Sequence, residues 1–337
     1  MSAADPGTGA PSNGQGGTVL VFLNEVAGGR RLLEATRERV AGGVAEIALV
    51  APQNQPIAGQ IVDRDEVREA AQSRVEVTQA VFREFGIESI GAVMDPDSAL
   101  ALDDAIRAFT PREVLLSCLY ETRFGFARKD LVEWAKQRFD VPITHIPVRI
   151  EDDAIRWDVT HTLVVATRTV ASEELISRLL SKAADRPHRY TIVSPPSGGI
   201  TREEVCQRLA RTLAEMYRSD VDATGQPMSP APLAAVQNAL EHYRIDEILI
   251  STLRGERSKW VEEGLLDSVG SLTEKSVEHV EAGDDVIDRS APERTDAPVA
   301  VGAERDEEGS VATAGGGGTS GGGGTSGGTA AGEERSG

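Results

Sequence analysis

Cysteine is almost missing from this chain: 337 residues hold two, Cys118 and Cys206. That excludes a disulfide scaffold and fits a reducing compartment, where both thiols are expected reduced and buried. Aromatic residues make up only 4%, and Trp134, Trp157 and Trp260 stand far apart, so they read as packing residues and not as a stacking platform. Five histidines are scattered without ligand spacing, and no metal is expected. No stretch approaches the ~20 apolar residues that cross a bilayer. The opening MSAADPGTGAPSNGQGG has neither the basic start nor the apolar run of a secretion signal. A cytoplasmic protein with no membrane partner is therefore expected. Basic charge is short as well. The net charge is −19, and residues 283–337 carry eleven acidic against four basic residues, which is −7 there and −12 in the rest. Such a balance excludes a broad basic face for DNA or RNA, so no nucleic-acid partner is expected.

What the chain does have is a repeat. Residues 113–146, EVLLSCLYETRFGFARKDLVEWAKQRFDVPITHI, return as residues 247–280, EILISTLRGERSKWVEEGLLDSVGSLTEKSVEHV, at an offset of 247 − 113 = 134. The same offset matches Gly91 to Gly225, Met94 to Met228, Pro96 to Pro230, Ala105 to Ala239, Ser117 to Ser251 and His145 to His279. Each copy reads apolar run, basic loop, amphipathic helix, apolar run, the closing part of a parallel α/β unit. The length allows two domains, each able to bury a core of its own.

Taken in order, residues 1–17 are a Gly/Ser/Pro arm expected to be disordered. A first domain spans 18–150: strands at TVLVFLNE, VAEIALVAPQ, IESIGAVMD, VLLSCLY and VPITHIPVRI, with helices over 28–42, 63–85, 97–109 and 127–139. EDDAIRWD opens a linker over 151–159. The plan repeats over 160–282, with Thr201 and Glu204 spaced as a capping box and an irregular, edge-like third strand over 221–228. Helices are expected over 232–243 and 260–269. Residues 283–337 form an acidic, then Gly-rich tail expected to be disordered. Near-unbroken apolar strands between helices indicate parallel sheets covered on both faces. The fold class is α/β: two tandem Rossmann-like three-layer domains, each a five-stranded parallel sheet in the order βαβαβαβαβ.

This element order, the tandem copy and the matched Pro96/Pro230, Glu113/Glu247 and His145/His279 resemble tandem universal stress proteins, within the adenine-nucleotide α-hydrolase-like superfamily. The resemblance covers residues 18–282. It implies that the two domains pack as an internal pseudo-dimer, open to further homo-oligomer formation. It also implies ATP or AMP as ligand where the family's motif is intact: an Asp ending strand one, then Gly-x-x-Gly, nine residues, and Gly-Ser or Gly-Thr after strand four. Those glycines let backbone N–H groups approach phosphates. Here the glycine positions fall on Cys118, Glu121 and Leu131, with Val132 at the hydroxyl, and in the second copy on Thr252, Gly255 and Leu265, with Leu266. Only Gly255 remains. Asn24 and Thr167 stand where the acid should be, so the site is degenerate and no cofactor is expected.

Two functions follow. One is a non-catalytic protein of stress-related regulatory or scaffold role, not an enzyme, because no acid–base or nucleophile constellation is present. The other is a sensor of a nucleotide or another small phosphate-bearing ligand, held by the loops after strand four through the matched Arg123 and Arg257, with Gly255 and Asn24 beside them. Surface charge paired with neighbouring acids explains the same arginines. His145 and His279 read as hydrogen-bonding residues at a sheet edge, and SPPSGGIT (194–201) as a turn before a capped helix. A strand-four groove filled by Leu131 and Leu265 favours the scaffold; an open, basic one favours the sensor.

Overall fold

The computed structural model describes residues 16–24, 27, 29–54, 64–118, 123–124, 129–148, 159–196, 199–228, 231–255 and 259–287. The expected arm, linker and tail lie outside these residues apart from 16–17, 159 and 283–287. The first half runs β1 (Thr18–Leu23), α1 (Arg30–Ala41), β2 (Glu46–Pro52), α2 (Arg64–Glu84), β3 (Ile90–Met94), α3 (Ser98–Phe109) and β4 (Glu113–Cys118). It closes with a two-residue ladder of β5 (Arg123–Phe124) and β6 (Lys129–Asp130), then α4 (Leu131–Arg138) and β7 (Ile143–Pro147). Its parallel sheet has the order β3-β2-β1-β4-β7.

Both faces of this sheet are covered, which is why β1 needs apolar residues at every position. Val19, Val21 and Leu23 enter one core with Leu32, Leu33 and Val75 of α1 and α2, while Leu20 and Phe22 enter another with Leu102 of α3 and Leu131 of α4. Alternation along the strand thus feeds two layers of helices. Asp97 starts α3 by accepting from the N–H groups of Ala99 and Leu100.

The second half repeats the plan: β8 (Thr160–Val165), α5 (Glu173–Asp185), β9 (His188–Ser194), α6 (Arg202–Arg218), β10 (Asp222–Pro227), α7 (Pro232–His242), β11 (Glu247–Leu253), α8 (Lys259–Glu262), α9 (Leu265–Leu272) and β12 (Ser276–Ala282). The sheet order is β10-β9-β8-β11-β12, again parallel throughout. The capping box at Thr201 and Glu204 is formed. Three local expectations change. The third strand of this half is regular, with six paired positions. Helix α4 starts at Leu131, directly after β6, where Asp130 caps it by accepting from the Glu133 N–H at 2.8 Å; residues 127–128 of the expected helix lie outside the described residues. The helix expected over 260–269 is divided by Gly264, whose φ of 70° leaves the right-handed helical region.

One core cluster takes in α1 and α2 of the first half and α5 and α6 of the second. Helices α2 and α6 lie side by side and run the same way. Arg202 reaches Glu69 at 2.6 Å near their starts, and Arg218 reaches Glu84 at 3.3 Å near their ends. Glu84 and Arg218 are equivalent at the 134 offset, so this ion pair joins matched positions of the two halves. The halves therefore form an internal pseudo-dimer through helices, while β7 and β12 remain the last strands of separate sheets.

Candidate functional site

In an open parallel sheet, ligands sit outside the carboxyl ends of the strands where strand order reverses, here between β1 and β4. Asn24 ends β1 at that place. It is 1% exposed, and its N–H donates to Ser117 O at 3.0 Å. Its Oδ1 accepts from Asn54, which also donates to Ser98, and buried Arg74 donates to Asn54 Oδ1 at 2.8 Å and to Pro52 O at 2.6 Å. This network ties the ends of β1 and β2 to the start of α3. Thr167, the counterpart of Asn24, likewise holds a neighbouring strand end by donating to Pro195 O at 2.7 Å.

The strand-four positions are packed. Cys118 and Leu131 are fully buried, Val132 is 8% exposed, and all three belong to one core cluster of the first half. Across the repeat, Thr252 is buried, Leu265 is 5% exposed, and Leu266 packs on the second-half core. Gly255 keeps a left-handed backbone at φ +71°, with nothing within 4 Å of where a Cβ would stand. Arg254 beside it pairs with Glu174 at 2.7 Å. The backbone of Arg123 pairs with that of Asp130 in the β5–β6 ladder. The Arg123 side chain and the whole of Arg257 lie outside the described residues.

Other candidates resolve into structural roles. His145 Nε2 lies 3.1 Å from Cys118 O, and His279 Nε2 lies 2.8 Å from Thr252 Oγ1, each reaching the end of the adjacent strand four. Trp134 packs edge-on against Phe139, and Trp260 packs on the second-half core. Neither cysteine is in a disulfide, and both are buried. A cavity of about 60 Å³ lies between the halves, where Ser117 and Val148 face His161, Arg189 and Tyr243. Pockets that hold drug-sized ligands start at roughly 300 Å³, several times this volume.

Composition places residues 283–287 in the tail, yet they lie against the second half. The Ile287 N–H donates to Ala171 O at 3.0 Å, and its side chain packs on the shared core. Arg208 Nη1 donates to Arg168 O and to Asp284 O, both at 2.8 Å, and Arg211 donates to Ile287 O at 2.9 Å. Arg168 pairs with the Asp284 carboxylate. The available sequence signal was Val286 and Ile287, an apolar pair within an acidic stretch.

No family model matches the chain, and no curated protein matches it. Among solved structures it is similar to a universal stress protein from Archaeoglobus fulgidus, at 16% identity over 80% of this chain and 98% of that one, with a TM-score of 0.31. It is also similar to MurG of Acinetobacter baumannii, at 11% identity over 78% and 85%, with a TM-score of 0.21. Likenesses of this size decide neither family nor activity. The fold rests on the two sheets described above.

Proposed function

We propose that the chain is a non-catalytic, universal-stress-like cytoplasmic protein with a degenerate nucleotide site and a regulatory or scaffold role. One observation carries this reading: side chains of Cys118, Leu131 and Leu265, all buried, stand where a phosphate-binding loop needs bare backbone. Thermal-shift titration with ATP, AMP and cyclic AMP is expected to give no more stabilisation than inorganic pyrophosphate at the same concentration. A larger shift with any adenine nucleotide would sink the degenerate site, since a ligand that binds the folded state raises its stability in proportion to ln(1 + [L]/Kd).

The sensor reading retains one feature in its favour, the open left-handed turn at Gly255 beside the basic loop. It requires Arg123→Ala or Arg257→Ala to weaken a phosphate-bearing ligand by about 1–3 kcal/mol, the scale of a lost charged hydrogen bond. A metabolite screen by calorimetry that finds no ligand for the full chain removes it.

A further inference from the structure

We propose that residues 283–287 are a displaceable strap occupying an anion cradle made by Arg168, Arg208 and Arg211, and that a small phosphate-bearing anion competes with it. In a protein of net charge −19, three guanidinium groups converge on five residues. Each donates to a strap acceptor: Arg168 to the Asp284 carboxylate, Arg208 to the Asp284 carbonyl, Arg211 to the Ile287 carbonyl. Arg168 lies in the loop after β8 and the other two lie on α6, so the cradle spans two elements that the core already fixes. Withdrawal of the strap frees the donors these arginines give to it, while Arg211 stays paired with Glu84 at 3.2 Å and Arg208 stays bonded to Arg168 O at 2.8 Å. Guanidinium donors of this kind suit phosphate oxygens.

The strap is built to leave. It has no ladder or helix of its own, its ion pair is part-exposed, with Arg168 at 41% and Asp284 at 33%, and one apolar side chain, Ile287, anchors it to the core. Segments with few apolar contacts and part-exposed hydrogen bonds open at a small fraction of the global unfolding free energy. Where strand-four side chains block the usual loop, this cradle is blocked by a segment that can move. The strap's first residue meets the strand-four loop of the second half through Glu174, which takes Arg254 at 2.7 Å and the Gly283 N–H at 3.5 Å, while the three arginines stand after β8 and on α6. The cradle does not rest on the proposed function.

Hydrogen exchange on the full chain, with and without inorganic pyrophosphate at constant ionic strength, reads the strap directly. Pyrophosphate is expected to speed exchange at the Ile287 amide. By calorimetry, Asp284→Asn should bind pyrophosphate about 2- to 5-fold more tightly, the range of a part-exposed ion pair. Asp285→Asn, the same charge change at an exposed neighbour on the strap, should leave the affinity unchanged, and Arg168→Gln should weaken it. ATP should bind no better than pyrophosphate, which separates this cradle from a nucleotide site. Unchanged exchange at Ile287, equal gains in the two aspartate variants, or no pyrophosphate binding by any variant would each overturn the proposal. Retained circular dichroism in the two aspartate variants shows that they have folded.

Discussion

Glu113 and Glu247 open the fourth strand of each half, and their chemistry explains why the repeat keeps them. Glu113 accepts from Arg39 at 2.7 and 3.2 Å and from Thr144 at 2.9 Å. Glu247 accepts from Thr162 at 2.7 Å and lies 2.9 Å from Lys182. Burial works against the charged form of each, but the Arg39 and Lys182 partners with their threonines outweigh it and hold both carboxyls below the ordinary range. A lowered folded-state pKa contributes stability in full above the unfolded value of about 4.3, and this is lost as pH falls through the folded value. Glu247→Gln is thus expected to cost about 2 kcal/mol at pH 7. The difference from wild type should shrink steadily below about pH 4 in urea titrations; a difference independent of pH would contradict the ion pair. Cys206 behaves in the opposite way, since burial first and then Glu76 push its thiol up to about 12. Together with the full burial of Cys118, this predicts that Ellman's reagent at pH 8 titrates no thiol in the folded chain and two after denaturation.

At the scale of elements, the matched glycines Gly91 and Gly225 are close-approach positions. A Cβ on Gly91 would stand 2.4 Å from Val75 Cγ1, and one on Gly225 would stand 2.7 Å from Leu209 Cδ1. Val75 and Leu209 are themselves equivalent at the 134 offset, so each half packs its second helix onto a bare third strand in the same way. Gly91→Ala or Gly225→Ala should destabilise by about 1–3 kcal/mol through overpacking, read as a lowered urea midpoint with an unchanged slope. Repetition made this pair legible in the sequence, as it did the strands, whose apolar runs exceed what a one-sided sheet needs. Local backbone events were less legible. Nothing in apolar spacing announced that Gly264 would divide the last helix, because Val261, Leu265 and Val269 keep a four-residue spacing through it. Gly and Pro made β10 read as irregular and edge-like; it is an edge strand, but a regular one, because Pro227 interrupts little there. The filled strand-four site was legible in part, since Leu131 and Leu265 in place of glycine are visible in the sequence. The strap was hardly legible, because five residues without periodicity take their order from partners more than 70 positions away, the three arginines and the core under Ile287.

The whole molecule is joined by a core that neither half completes alone. Leu32 and Val75 of one half and Leu209, Leu213 and Met216 of the other belong to one buried cluster. At its rim Glu84 receives Arg211 and Arg218, and Phe85 lies between the guanidinium groups of Arg37 and Arg218 at 5.8 and 4.9 Å. Separating the halves would expose that cluster to water, so unfolding of one removes support from the other, and a single cooperative transition is expected. Two natural reporters can test it, because Trp134 packs on the first-half core and Trp260 on the second-half core. Two variants, each retaining only one of these tryptophans with Phe at the other two positions, should give urea curves that coincide once each variant's own stability is normalised. Glu84→Arg then places three cationic groups at the rim of α2 and α6. It should lower stability by about 1–2 kcal/mol, and both tryptophans should report the same shift even though neither stands at the substituted site. A shift confined to one tryptophan would mean that the halves unfold separately and that the shared cluster contributes little to their coupling.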